Sequence, residues 1–118
     1  MTSRVMGQFT VLHPQGRFDG QGGAQIARQI EEMASQTSVL CLDLAGVDFM
    51  DSAGLGKLVS GLKTARQQDC RLVLCHIPGQ VKLILDIAKL EGVFEVYSSY
   101  EEVVRVFDPE SMRELSAA

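Results

Sequence analysis

The six residues Val39-Leu40-Cys41-Leu42-Asp43-Leu44 form an almost unbroken apolar run, and a few positions later apolar residues return at helical spacing. A strand open to water on one side alternates apolar and polar residues, so a run without alternation reads as a strand covered on both faces. Leu55, Leu58, Val59, Leu62 and Ala65 then recur at steps of three and four, the buried stripe of an amphipathic helix. A doubly covered strand that leads into a helix belongs to a sheet with helices packed against it.

The same alternation runs along the chain. Phe9-Thr10-Val11-Leu12 reads as a strand, and Gly16-Arg17-Phe18-Asp19 as a turn or a return strand pairing with it. Between Gln25 and Gln36 the residues Ile26, Ile30 and Met33 share a helix face opposite Arg28, Glu31 and Glu32, while Gly20, Gly22 and Gly23 predict a loose start. The strand over 39–44 and a helix over 52–67 follow, then a turn at Asp69-Cys70 and a strand from Arg71 to Ile77, ended by Pro78-Gly79. Val81, Ile84, Leu85 and Ala88 predict a short helix, and Val93 to Tyr97 a strand after the break at Gly92. Ser99 opens a last helix: its spacing to Glu102 is that of a capping box, and Tyr100, Val103, Val104 and Phe107 supply the stripe. Asp108-Pro109 stops it, leaving 108–118 as a polar C-terminal tail. The expected fold is an α/β domain over residues 1–107, with a mostly parallel central sheet of four to five strands and about four helices.

Composition excludes several classes of function. A chain of 118 residues has room for one core, and 46% apolar with 22% charged residues is ordinary globular usage. The net charge of −4, with no cluster of Lys or Arg, argues against a nucleic-acid binder. The N-terminus lacks the apolar core of a signal peptide, and no apolar stretch approaches the ~20 residues of a membrane span, so the expected location is the cytoplasm, without membrane insertion. Cys41, Cys70 and Cys75 are odd in number and sit in or beside apolar runs, which reads as reduced core packing. A metal set of Cys70, Cys75 and His76 is disfavoured, because neighbours on a strand point to opposite faces and Cys75 and His76 should not converge. No metal is expected. His13 and His76 have no nucleophile nearby in sequence and read as surface or strand-end residues, while Asp19 and Asp43 suit turn caps.

The chemistry concentrates in Asp48-Phe49-Met50-Asp51-Ser52-Ala53-Gly54-Leu55-Gly56, where an acidic loop meets a helix. Ser52 falls at or beside the first helical position, where Ser and Asp accept from otherwise unpaired backbone N–H groups. A helix cap and a regulatory serine look alike at this level. Gly54-Leu55-Gly56-Lys57 is not a phosphate-binding loop, because Asp51 and Leu58 stand where that motif needs Gly and Ser or Thr. An aspartyl phosphoacceptor at Asp51 is equally poor, since Leu12-His13-Pro14-Gln15 offers no acidic cluster to hold a metal. In open parallel sheets functional groups gather at the carboxyl ends of strands, and Asp51-Ser52 lies on such a strand-to-helix connection.

The run from Phe49 to Gly56, preceded by the strand Leu40 to Leu44, resembles the STAS domain family, and within it the bacterial anti-sigma factor antagonists. Support extends over roughly residues 8–107: the Gly16-Arg17-Phe18-Asp19 turn, the strand ending at Pro78, the helix start at Val81-Lys82 and the strand around Phe94 fall where that family has matching elements. The run Gly20-Gln21-Gly22-Gly23 is richer in glycine than that pattern. The resemblance implies a single STAS domain that is a switch and not an enzyme, with no cofactor of its own. It implies binding to an anti-sigma factor that is also an ATP-dependent serine kinase, phosphorylation at Ser52, release on phosphorylation, and resetting by a serine phosphatase. Asp19, Asp48, Asp51, Ser52, Ala53, Gly54, Leu55 and Gly56 are the expected partner-binding residues. The alternative within the same family is an accessory subunit that binds the ATPase of an ABC transporter.

Overall fold

The computed structural model describes residues 2–6 by their backbone, and residues 9–90 and 92–107 in full. In chain order the elements are β1 (Thr2–Met6), β2 (Phe9–His13), β3 (Gly16–Phe18), α1 (Gly20–Ala34), β4 (Val39–Asp43), β5 (Val47–Met50), α2 (Ser52–Gln67), β6 (Arg71–Cys75), α3 (Gly79–Ile87), β7 (Glu95–Tyr97) and α4 (Tyr100–Phe107). A five-stranded sheet has the order β1-β2-β4-β6-β7, and β3 with β5 forms a separate two-stranded sheet. The strands β2, β4, β6 and β7 run parallel, and β1 pairs antiparallel with β2 along one edge.

All five residues of β4 are buried because both faces of the sheet are covered. Leu40 and Leu42 point into the larger core with Leu12, Leu72 and Leu74, beneath Ile26 and Ile30 of α1, Leu58 and Leu62 of α2 and Val81 and Leu85 of α3. Val39 and Cys41 point the other way, onto Phe9, Val11, Val73 and Cys75 and the Val103-Val104 pair of α4. The period-two alternation of a strand is therefore present in β4, with apolar residues at both phases.

Several boundaries differ from the sequence reading. The segment Gly16–Phe18 is a strand, but it pairs in parallel with β5 and not with β2. Pro14 lacks the N–H that would extend the β2 ladder, and Gly16, at φ +79°, turns the chain so that its N–H donates to the Gly46 carbonyl at 2.9 Å. β5 itself was expected to be loop; only four residues long, it carries no apolar run. β1 is a further strand absent from that reading. Helix α1 begins at Gly20, five residues before Gln25, because the Asp19 carboxylate accepts from the Gly22 N–H at 2.9 Å and fixes a start that the glycines alone would leave loose. β6 stops at Cys75, two residues before Ile77, and β7 begins at Glu95, while α2 spans the expected 52–67. The expected capping box at α4 is split: Ser99 Oγ accepts from the Glu102 N–H at 3.2 Å, whereas the Glu102 carboxylate bonds the Ser98 N–H at 3.2 Å and the Ser98 hydroxyl. The expected tail 108–118 lies outside the described residues. Among the described residues no helix is long and apolar enough to cross a membrane.

Candidate functional site

The two-stranded sheet sets two helix starts side by side. Phe18 of β3 is the register partner of Met50 of β5, so Asp19 and Asp51 leave the sheet from adjacent positions. Each then caps a helix in the same way, Asp19 Oδ1 taking the Gly22 N–H and Asp51 Oδ1 the Gly54 N–H, both at 2.9 Å. Ser52 is thus the first residue of α2, and the cap is Asp51. This frees the Ser52 hydroxyl from the capping role that the sequence left open, and the side chain is exposed.

The close approach of the two helices depends on missing side chains. A Cβ at Gly54 would lie 1.7 Å from the Phe18 carbonyl oxygen, and one at Gly23 would lie 2.8 Å from Lys57 Cβ and 3.2 Å from Gly54 Cα. Gly54, one of the expected partner-binding residues, is buried against β3, and its lack of a side chain serves packing inside the molecule. Gly56 is different, exposed and with no atom within 4 Å of a would-be Cβ.

The remaining expected residues divide by exposure. Asp48 on β5 and Ala53 on α2 are exposed, Asp19 and Asp51 are half-buried, and Leu55 is only 7% exposed within the main core. The surface around Ser52 therefore consists of Ala53 and Gly56 on the helix and the carboxylates beside it, with Leu55 and Gly54 supporting it from below. Arg17 stands over the Phe49 ring at 4.2 Å from its centroid and places its Nε 3.6 Å from Asp19 Oδ2. The Asp19 carboxyl is held below its ordinary value of 3.8, chiefly by the Gly22 N–H and then by the positive charge of Arg17, against a desolvation that works the other way.

Gln80, on the first turn of α3, was not anticipated. Its side-chain amide pairs with both backbone groups of Met50: the Met50 N–H donates to Gln80 Oε1 and Gln80 Nε2 donates to the Met50 carbonyl, both at 2.8 Å. The side chain takes the place of a neighbouring strand along β5, one residue before Asp51. A glutamine following Pro-Gly carries no local signal of this role; only the fold brings it to β5.

A second group of polar side chains lies at the carboxyl ends of β2, β4 and β6. Asp43, 7% exposed, has His13 Nδ1 at 3.5 Å and His76 Nδ1 at 3.1 Å, and its Oδ1 also accepts from the Ala45 N–H at 3.1 Å. Here the expectation that Cys75 and His76 diverge fails: β6 ends at Cys75 and His76 adopts φ +52°, so the strand alternation stops before it. Asp43, Cys75 and His76 each offer a ligand atom within 4.8 Å of the others. Cys70, at the other end of β6, stands apart from them. Cys41 and Cys75 place their sulfurs 3.5 Å apart, and that contact first, with burial second, pushes the Cys41 thiol upward.

The STAS domain model matches residues 1–103. An anti-sigma-B factor antagonist of Listeria monocytogenes is 29% identical over 82 residues, covering 69% of this chain and 72% of that protein. The solved structure of the anti-sigma factor antagonist SpoIIAA in its unphosphorylated form superposes with a TM-score of 0.72 at 18% identity, over 89% of this chain and 94% of that one, and the phosphorylated form of the Bacillus protein with 0.67. A sulfate transporter family protein from Wolinella succinogenes shares the fold as well, with a TM-score of 0.73 at 15% identity over 98% of this chain and 93% of that one. The match along nearly the whole folded region, with the Asp-Ser turn set on a strand-to-helix connection, means that the chain belongs to the STAS domain family.

Proposed function

We propose that this protein is an anti-sigma factor antagonist whose binding is switched by phosphorylation of Ser52. The observation that carries the reading is the exposed serine at the first position of α2, with its hydroxyl released from capping by Asp51. Relatives named as anti-sigma factor antagonists support it. The partner is an anti-sigma factor that doubles as a serine kinase, and a serine phosphatase restores the binding form.

Phosphate at Ser52 adds about −1.5 to −2 charges at a helix N-terminus, where the macrodipole favours an anion by roughly 0.3–1 kcal/mol, so the fold survives. The effect falls on the interface. Asp19 and Asp51 already flank this surface, and a bound partner that has matched those carboxylates meets extra charge that must be desolvated. Binding is lost without unfolding, as a switch requires.

The test uses the unphosphorylated chain and the Ser52→Glu variant as paired baits in the native lysate, with Ser52→Ala as a phosphorylation control. The expected outcome is a serine kinase of the anti-sigma type retained by the wild type and lost with Ser52→Glu. Incubation of that kinase with MgATP adds one phosphate to the wild type and none to Ser52→Ala. Retention of the kinase by both baits, or recovery of an ABC-transporter ATPase in its place, overturns the reading in favour of an assembly role.

A further inference from the structure

Three side chains with metal-binding chemistry, Asp43, Cys75 and His76, converge at the carboxyl ends of neighbouring strands, with His13 beside them. The register that pairs Leu12 with Leu42 and Asp43 with Cys75 sets His13, Asp43 and Cys75 in one row across the sheet. All three point to the α4 side, since Val11, Cys41 and Val73, two positions earlier on each strand, line that smaller core. His76 joins them because its φ of +52° turns it out of the strand and brings Nδ1 to 3.1 Å from Asp43 Oδ1. From the far side His13 Nδ1 lies 3.5 Å from Asp43 Oδ2.

The surroundings of Asp43 make a simple hydrogen-bonded cap an incomplete account. A carboxylate only 7% exposed is stabilised by opposite charge, and among the described residues its partners are these two imidazoles and the neutral Ala45 N–H. A histidine supplies that charge only when protonated. A bound dication supplies it while both imidazoles stay neutral, and it also gives the fully buried Cys75 sulfur a partner besides Cys41.

We propose that Asp43, Cys75 and His76 form a binding site for a borderline transition-metal dication of the zinc or cobalt type, with His13 on the far carboxylate oxygen orienting Asp43 and water completing the ion's coordination. One imidazole nitrogen, one carboxylate oxygen and one sulfur suit such an ion and exclude magnesium and calcium, which take oxygen ligands. Ligands at about 2.0–2.3 Å from a tetrahedral ion lie roughly 3.3–3.7 Å apart. The 3.1 Å separation of His76 Nδ1 from Asp43 Oδ1 is close to such an edge, whereas His13 faces the other oxygen. The Cys75 thiol lies within 4.8 Å of the Asp43 and His76 ligand atoms. Coordination takes Cys75 as the thiolate, its proton passing to solvent. His76 also lines a cleft of about 590 Å³ with Lys82, Leu85, Asp86 and Tyr97, which gives the ion a path from water. This proposal is independent of the Ser52 reading, which the site does not use.

The untagged full chain, stripped with a chelator, is titrated with Co²⁺ under reducing conditions. The expected result is one Co²⁺ per chain, tetrahedral visible bands, a thiolate-to-cobalt charge-transfer band in the near ultraviolet, and displacement by Zn²⁺. Loss of a partner that merely orients a ligand lowers metal affinity roughly 10–100-fold, so Asp43→Asn and His76→Gln should each lower it at least tenfold. Cys75→Ser removes the charge-transfer band, and Cys70→Ser leaves it intact. Absence of Co²⁺ binding to the wild type, binding without the thiolate band, a band removed by Cys70→Ser, or affinity unchanged in Asp43→Asn and His76→Gln overturns the site. The wild-type spectrum decides the matter even where a variant fails to fold.

Discussion

Asp19 and Asp51 carry out the same task at the ends of paired strands, yet they differ in what surrounds them. Asp19 lies beside Arg17, and its carboxyl is held below its ordinary value, first by the Gly22 N–H. A group whose folded-state pKa is depressed stabilises the fold above its unfolded value and loses that contribution as the pH falls through the folded one. Asp19→Asn keeps an acceptor for Gly22 without titrating. The urea midpoint of the wild type is therefore expected to fall more steeply between about pH 5 and about pH 3 than that of Asp19→Asn; parallel profiles would show that Asp19 contributes nothing through its charge. Gln80 is the other residue whose role is local and specific. Replacing it with alanine removes two hydrogen bonds from Met50, which water partly replaces at this part-buried contact, at an expected loss of about 1 kcal/mol. Hydrogen exchange at the Met50 amide should quicken more than at the Leu42 amide inside β4.

At the scale of elements, α2 is held by contact of its first turn with β3 and α1, and the two glycines of its opening sequence have opposite status. Gly54→Ala would drive a Cβ into the Phe18 carbonyl, where backbone must move, and should destabilise by about 1–3 kcal/mol. Gly56→Ala meets open space within a helix and should stabilise by about 0.5–1 kcal/mol. Denaturant unfolding of the two variants checks both signs, and a neutral Gly54→Ala would mean that α2 does not sit so close to β3. The same contact explains why the surface carrying Ser52 is firm: α1 and α2 start from one small sheet, and Gln80 of α3 pins that sheet from its open edge.

At the scale of the molecule, the central sheet is covered unequally by the described residues. Three helices lie on one face, whereas on the other face the eight-residue α4 covers Phe9, Val11, Val39, Cys41, Val73 and Cys75. A short helix with few buried side chains belongs to the part of a fold that opens first. Cys41 is fully buried under this layer, so its alkylation in the native protein should be slow and governed by the departure of α4. Val104→Ala, which trims a fully buried side chain, should destabilise by about 1–2 kcal/mol and speed modification of Cys41 several-fold. Unchanged labelling would show that access to Cys41 opens elsewhere. At this scale too, the ends of β2, β4 and β6 collect His13, Asp43, Cys75 and His76 from distant parts of the chain.

The apolar runs of β4 and β6 and the stripe of α2 were legible in the sequence because burial on both faces, or along one helix face, leaves a repeating mark on every residue involved. The start of the helix bearing Ser52 was legible for the same reason, but the strand that leads into it is β5 of the small sheet and not the apolar β4. What tertiary structure decided were pairings that leave no period. β3 and β5 are too short to show alternation, and their alliance rests on the Gly16 N–H meeting the Gly46 carbonyl. The burial of Gly54 against β3 and the reach of Gln80 to Met50 both depend on the distance between segments remote in sequence. The turn of His76 toward Asp43 is of this kind as well, since one backbone angle outside the strand overrides the alternation that a sequence can express.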